Sequence, residues 1–590
     1  ASPAGAQPPT PAPATVTAPR PPSAGVAGFG DAPLSKSPLQ ASVHDSETLA
    51  DMGATSIRAL TSLDASVSDA YNANGYWQYL SVRGFTLDNR FNYRRDGLPI
   101  NAETVIPLEN KEAIELLKGT SGIQAGTSAP GGLVNLVVKR PEGRVRSASL
   151  GFRSSHTYGA AVDIGERFGV NDAFGLRLNA AVEHLDPPLR ASEGRRHLFA
   201  LASDWRISPD TLIEAEVESS RQTQPSQAGF SMHGNTVPAP VDPRINLNNQ
   251  PWSLPVELES HTASLRLRQR INENWRFTAH GMTQRLRMDD RMAFPFGCSA
   301  EGNYDRFCSD GTVDFYDYRS ENERRRSDAL DLNVDGSFAT GGLQHALTAG
   351  VLFSRYRGRP PRQAYNYAGT GPADGTAVVP AAPALTEENT LRTERSTELY
   401  VRDAIRLNER WSAWAGLRHT RLDRASVRTD GSRPTDYSQS VTTPWLALSH
   451  TLTPRHMVYA SWGQGIESDV APNRARYANA GEALPALKSR QFEIGIKADS
   501  PTLDWQLAWS TSPGRPAAAS APTALTTPHR AVARRRSTAK RTTVASKPEP
   551  PGASTPGRSR PAPCGKTPSA AAAPIPRSTA AAHPTCPSRP

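Results

Sequence analysis

Residues 81–85, Ser-Val-Arg-Gly-Phe, open the stretch that decides the fold. Arg94 to Ile100 (RRDGLPI), Glu109 to Gly119 (ENKEAIELLKG) and Gly126 to Pro141 (GTSAPGGLVNLVVKRP) follow. Glycines mark tight bends in each block. The apolar spacing from Glu109 to Lys118 predicts a short amphipathic helix, and Leu133 to Lys139 reads as a β-branched strand stopped by Pro141.

At 590 residues the chain exceeds one ordinary domain. It holds no run of 18 apolar residues, which argues against a helical membrane span or a signal-peptide core. The opening Ala1-Ser2-Pro3-Ala4-Gly5 suits a chain processed after small residues. The net charge of +10 comes from the C-terminal part: residues 511–590 carry 13 Lys or Arg and one acid, leaving 54 basic and 56 acidic residues before them. The basic balance therefore calls for no nucleic-acid partner.

From about Val145 the periodicity becomes two. Leu176, Leu178, Ala180 and Val182 alternate with Arg177, Asn179 and Glu183; Leu265, Leu267 and Ile271 oppose Ser264, Arg266, Arg268 and Arg270. Phe492, Ile494 and Ile496 oppose Glu493 and Lys497, and Trp505, Leu507 and Trp509 continue the pattern. A soluble sandwich alternates too, but long strands, charged opposite faces and unequal connections favour a membrane barrel with a wet lumen. Short turns at 208–210 and 272–274 would face one side, and long loops near 225–258, 292–316, 362–393 and 469–488 the other. Trp205, Trp275, Trp411, Trp414 and Trp462 lie near strand ends, where interfacial girdles place such rings. Cys298 and Cys308 share one long loop. A disulfide suits an oxidising compartment; free thiols and a metal pair are the rivals, and the loop holds no His or further Cys for zinc.

The four blocks, in this order and ahead of such a β-rich region, resemble the plug domain of TonB-dependent siderophore receptors of the Gram-negative outer membrane. The resemblance implies an α/β plug domain inside a transmembrane antiparallel β-barrel of about 22 strands. Residues 1–30 would be a flexible leader, 31–143 the plug, 144–510 a partial barrel of about 15 strands and 511–590 a disordered tail. Leu34 to Val43 would enter the plug, followed by a pair of helical turns within 47–63. With about 30 residues ahead of the plug, no signalling domain that controls transcription is expected.

The resemblance also implies the function, energised uptake of ferric siderophores. The extended patch at Thr15, Val16 and Thr17 would be the TonB box, pairing by strand addition with TonB and its inner-membrane energising complex. The partners are then a ferric siderophore, TonB and outer-membrane lipid. No cofactor or resident metal is implied, because the iron arrives with its chelator. Tyr76, Trp77, Tyr79, Phe91, Tyr93 and Arg94 are candidate ligand contacts: rings give contact area and guanidinium meets chelate oxygens. Arg83 is a candidate for the pocket or, with Glu109, Glu115, Lys139 and Arg140, for a charge network holding the plug. Haem, cobalamin or glycan receptors are alternatives within transport, and a soluble β-rich adhesin is one outside it. The sequence shows no nucleophile elbow, phosphate loop or metal-spaced cluster, so no enzyme is expected.

After Ser510 the chain lacks Phe, Tyr, Trp, Met and Asp and carries 16 prolines, which forbid continuous ladders. Ala, Pro, Arg, Ser and Thr bias is what a shifted frame of GC-rich DNA yields, so residues 511–590 are read as out of frame. Two open edges would then face lipid and leave an inactive product. Translating the neighbouring frame tests this: absence of alternating strands ending in an aromatic residue rejects it.

Overall fold

The computed structural model describes residues 25, 33–70, 74–153, 155–467, 487–499, 505–511, 514–515 and 542–546. Local chemistry builds the first unit. β1 (Gln40–Asp45) leads into α1 (Ser46–Asp51), whose N-cap Asp45 accepts from the Thr48 amide at 2.8 Å. After α2 (Leu60–Leu63) come β2 (Val67–Asp69), β3 (Leu80–Val82) and β4 (Phe85–Thr86), which form a three-stranded sheet.

Arg83 and Gly84 join β3 to β4 with φ of 52° and 79°. Asp96 and Gly97 join β5 (Tyr93–Arg95) to β6 (Leu98–Pro99) with φ of 46° and 86°. Both are two-residue hairpin turns with φ positive at each central position, a geometry that Asp-Gly favours and in which the glycine is unstrained.

β7 (Lys111–Lys118) and β8 (Gly132–Val138), packed through α3 (Gly122–Ala125), complete a five-stranded sheet of order β1-β7-β8-β5-β6. The helix expected at 109–118 is thus a strand. β7 lies between β1 and β8, and Ala113, Ile114, Leu116 and Leu117 are all buried. A strand covered on both faces is apolar at both parities, which mimics a helical stripe. Gly132 is required at φ +141°, because a Cβ there would lie 1.8 Å from the Leu117 carbonyl oxygen.

The wall follows as antiparallel strands: β9 (Val145–Phe152), β10 (Tyr158–Phe168), β11 (Phe174–Leu185), β12 (Gly194–Ser208), β13 (Thr211–Gln224), β14 (Leu254–Arg270), β15 (Trp275–Pro295) and β16 (Thr312–Thr340). Then come β17 (Leu343–Arg359), β18 (Ala364–Pro372), β19 (Thr390–Arg406), β20 (Trp411–Arg428), β21 (Thr435–Thr453), β22 (His456–Glu467), β23 (Leu487–Ala498) and β24 (Trp505–Thr511). β17 pairs with β19, while β18 pairs only with the far half of β16 and so extends the rim outside the ring. Of the C-terminal part, β25 (Gly514–Arg515) and β26 (Thr542–Ser546) are described; β26 pairs with β24 and the sheet order closes onto β9. Thr542-Thr543-Val544 is a β-branched run free of proline.

Alternation sorts the wall. Leu265, Leu330, Phe353, Leu399 and Leu417 are exposed on the outside, while Arg177, Asn179, Glu214, Glu216 and Glu218 are buried toward the plug. Trp205 stacks on Phe174 and Trp275 on Phe338, and Trp411 meets His450 at a tilt, all at the short-turn rim. Trp414 departs from the girdle expectation. Its parity turns it inward against Ile123, and its indole donates to Ser449 Oγ at 3.1 Å. Trp462 stands mid-strand, and the loop expected at 469–488 lies almost wholly outside the described residues.

Because the outer band faces hydrocarbon, Leu399→Arg should destabilise the barrel by about 2–4 kcal/mol. Urea unfolding from lipid vesicles measures this, and a loss under about 0.5 kcal/mol would place Leu399 outside the bilayer.

Candidate functional site

The plug meets the wall mainly through charge. Arg95, at the end of β5, donates to Glu216 and, at 2.8 Å, to Glu218 of β13. Lys111 at the start of β7 donates to the same Glu218 at 2.7 Å, and the Asn110 amide does so at 2.6 Å. Lys111 is fully buried; burial and the neighbouring Arg95 lower its pKa, and Glu218 opposes them. Arg140 pairs with Asp96 and lies 3.9 Å from Glu214, which also takes Arg266 at 2.6 Å. Burial works against the Asp96 carboxylate, yet Arg140 and Arg266 outweigh it and hold its pKa well below the usual range.

Lys139 bridges to Asp163 at 2.9 Å, and Glu109 pairs with Arg196 at 2.6 Å. Arg83 pairs with Glu493 at 3.1 Å, and Glu493 also accepts from Tyr459, itself bound by Gln40. Glu115 stays within the plug, accepting from Asn135 at 2.8 Å. The sequence reading left out Arg95, Lys111 and the glutamates they meet. The signal available was the Arg94-Arg95 doublet and the one-sided Glu214, Glu216, Glu218 ladder of β13.

Tyr76 and Trp77 meet as tilted rings with centroids 4.0 Å apart and, with Tyr79, pack on Val256, Leu258 and Met288 of the wall. The Arg325 guanidinium lies over Trp77, 5.6 Å from the ring centroid, and pairs with Glu103 at 2.5 Å. Tyr93 is buried in the plug core, and burial pushes the phenols of Tyr79 and Tyr93 far up. These four rings form an interior wedge.

Phe91 and Arg94 instead line a cavity of about 50 Å³ between plug and wall, with Arg90 beside them and Tyr356, Glu394 and Glu398 across it. Arg90 is engaged by Asp88 at 2.9 Å. Arg94 is 4% exposed and donates to the Ala125 carbonyl at 3.3 Å; among the described residues no carboxylate lies within ion-pair distance of it. Burial lowers its pKa to about 10, with Glu398 opposing, so it stays cationic at neutral pH. The cavity thus presents a preorganised cation beside aromatic surface.

At the long-loop rim, Cys298 and Cys308 form a disulfide. Glu301 lies near the two sulfurs, but joined sulfurs offer no thiolate to a metal. Phe307 packs with Leu247, Phe315 and Val379, tying three long loops into one cap. Thr15, Val16 and Thr17 lie outside the described residues.

An α/β plug held by ion pairs inside a polar-lined barrel with an apolar outer band defines a plugged β-barrel membrane protein. The TonB-dependent receptor plug domain model matches residues 33–133, and the TonB-dependent receptor-like β-barrel model matches residues 202–509. The chain belongs to the TonB-dependent receptor family and is a protein of the bacterial outer membrane.

It is similar to the metal-pseudopaline receptor of Pseudomonas aeruginosa, at 25% identity over 404 residues, covering 66% of this chain and 54% of that one. To the ferrioxamine B receptor of Salmonella typhimurium it is 22% identical over 485 residues, covering 79% and 66%. The chain thus spans about half the length of the first of these. The crystal structure of the ferric preacinetobactin receptor of Acinetobacter baumannii has a TM-score of 0.67 at 19% identity, covering 82% of this chain and 72% of that one.

Arg95→Ala would leave Glu216 and Glu218 buried with fewer cations and should cost about 3–5 kcal/mol of plug docking. Acid should act in the same direction on Asp96. Its folded-state pKa is depressed, so its contribution is present above the unfolded value and fades as pH falls below about 4. Hydrogen exchange of the β5–β6 amides reads both; protection that holds from pH 7 to 3 would refute the acid effect.

Proposed function

We propose that the chain captures ferric siderophores from outside the cell and passes them inward under TonB drive. The observation that carries this is the cavity at Phe91 and Arg94, where a buried guanidinium with no carboxylate at ion-pair distance among the described residues faces space between plug and wall. A ferric chelate is bulky, presents oxygens and is commonly anionic. It would gain charge-assisted bonds from Arg94 and ring contact from Phe91 and Tyr356.

Tyr76, Trp77, Tyr79 and Tyr93 hold this face of the plug in place, and Arg83 ties a separate point of it to Glu493. Capture lets the outer loops close over the chelate. Occupancy then favours release of the leader, and TonB pairs with Thr15-Val16-Thr17 and pulls. The ion-pair lock parts because water can replace each protein partner, and the chelate moves through the lumen. The chain performs no covalent chemistry, and the siderophore carries the metal.

The likeness to a metal-pseudopaline receptor supports a second reading, in which the chelate holds a metal other than iron. Folded protein titrated with a panel of metal-loaded and metal-free chelators separates the two. Arg94→Ala should weaken the tightest chelate at least tenfold, about 1.4 kcal/mol, with Phe91→Ala adding to the loss. Equal affinity of wild type and R94A for every chelate that binds would overturn the assignment.

A further inference from the structure

Below the cavity at Phe91 and Arg94, the lumen holds further guanidiniums gathered around a ring. On β19 the inward side chains descend from Glu394 through Glu398 and Tyr400 to Arg402. Glu398 and Tyr400 are buried, whereas Leu399 and Val401, of the other parity, are exposed on the outside. Arg402 stands four residues from the short-turn end of β19 at Arg406, and Glu398 stands eight. At a rise of about 3.3 Å per residue and a tilt of about 40°, Arg402 lies about 10 Å below Glu398.

Two cations flank Tyr400. The guanidinium carbon of Arg418 lies 4.6 Å from the ring centroid and that of Arg402 lies 4.8 Å from it. Arg418 pairs with Glu398, which lines the cavity, and donates to the Ile123 carbonyl at 2.7 Å. Arg402 is half-buried, and its Nε is buried without a hydrogen-bond partner. Among the described residues no carboxylate lies within ion-pair distance of Arg402. The nearby carboxylates of β16 are held elsewhere: Asp331 by Tyr400 at 2.8 Å and by Asn333, Asp335 by Thr348 at 2.8 Å and Arg276 at 3.1 Å. A ring stabilises a cation less than a counter-charge does, so this site gains from an arriving anion.

The plug segment between the two levels hangs on acceptors that an anion can replace. Arg94 donates to the Ala125 carbonyl at 3.3 Å and Arg418 to that of Ile123, so two guanidiniums hold α3. Thr443 donates to the Gly122 carbonyl at 2.9 Å. A Cβ on Gly416 would lie 2.8 Å from the Ile123 side chain and 3.4 Å from Arg402 Cγ, so α3 and Arg402 meet over a glycine. Carbonyls are neutral, and an anionic oxygen adds Coulomb attraction in a poorly hydrated interior. A ligand that wins Arg94 and then Arg418 therefore loosens α3. Arg402 is the next cation below.

We propose that Arg402 and Arg418, around Tyr400, form a second anion-binding station that receives the carboxylate or phenolate oxygens of the chelate after Arg94. The station suits chelates of net negative charge and offers an uncharged chelate little. The identity of the cargo rests on ferric-chelate capture; the station itself rests on the placement of Arg402, Tyr400 and Arg418.

Two measurements test it. In the first, the full chain folded in uncharged-detergent micelles is treated with phenylglyoxal, which modifies accessible guanidiniums, and labelling is read by peptide mass spectrometry. Metal-free citrate, the probe, should slow labelling of Arg402 at least threefold; sorbitol should not. Arg406, exposed at the short-turn rim, should label at the same rate throughout. Unslowed labelling of Arg402 in citrate, or equal slowing at Arg406, would overturn the proposal. In the second, TonB-energised cells take up an anionic and an uncharged ferric chelate. The ratio of anionic to uncharged uptake should fall at least fivefold in R402Q and recover in part in R402K. An unchanged ratio in folded R402Q, with folding checked by heat-dependent gel migration, counts equally against the station. Where R402Q does not fold, the labelling of wild type decides. Uptake of neither chelate by wild type rejects capture instead, and the labelling still decides the station.

Discussion

The structure depends on a buried meeting of unlike charges: Arg95 and Lys111 of the plug on Glu216 and Glu218 of the wall. Apolar packing alone does not seat the plug on this part of the wall, because Glu214, Glu216, Glu218, Ser220, Gln222 and Gln224, the buried side chains of β13, are all polar. Desolvating such groups is costly unless every charge finds partners. Here Glu218 receives Arg95, Lys111 and Asn110 together, so the cost is spread over several charge-assisted bonds. The rest follows: β7 lies inside the plug sheet, between β1 and β8, and brings Lys111 to the wall, while the Asp96-Gly97 hairpin turns within two residues and keeps Arg95 and Asp96 on different partners.

An ionic lock also suits motion better than an apolar one. Well-packed hydrophobic residues of the same volume would hold the plug as firmly, but sliding them apart would expose apolar surface inside a wet channel. Parted ion pairs instead rehydrate on both sides. The cap differs: the Cys298–Cys308 bridge closes one long loop on itself, and Phe307 packs that loop against apolar side chains of two others.

Much of this arrangement was readable from residues because the wall has a period of two, and parity is independent of partners. The Arg83-Gly84 and Asp96-Gly97 hairpins were likewise readable, since glycine in a two-residue turn carries its own conformational signature. The 109–118 segment was not. Ala113, Ile114, Leu116 and Leu117 fit a helical stripe, and only the presence of β1 and β8 on either side makes them a strand buried on both faces. Trp414 misled for a related reason: nearness to a strand end says nothing of which face a ring takes. In the candidate site, Arg94 and Arg95 look alike in sequence, yet one lines the cavity and the other meets β13. Nothing local distinguishes them, because the partner carboxylates lie more than a hundred residues away.

Parity then accounts for arginine throughout the molecule. At inward wall positions such as Arg177 and Arg325, a guanidinium answers a carboxylate of the wall or plug. At Arg94, inside the plug, it meets a carbonyl and a cavity. At outward positions on β15–β19 it meets other guanidiniums. A shift of one residue in strand register would exchange the first and third sets, placing the lock in lipid and the apolar band against the plug. The plug charges therefore select the register of the wall as well as their own seat.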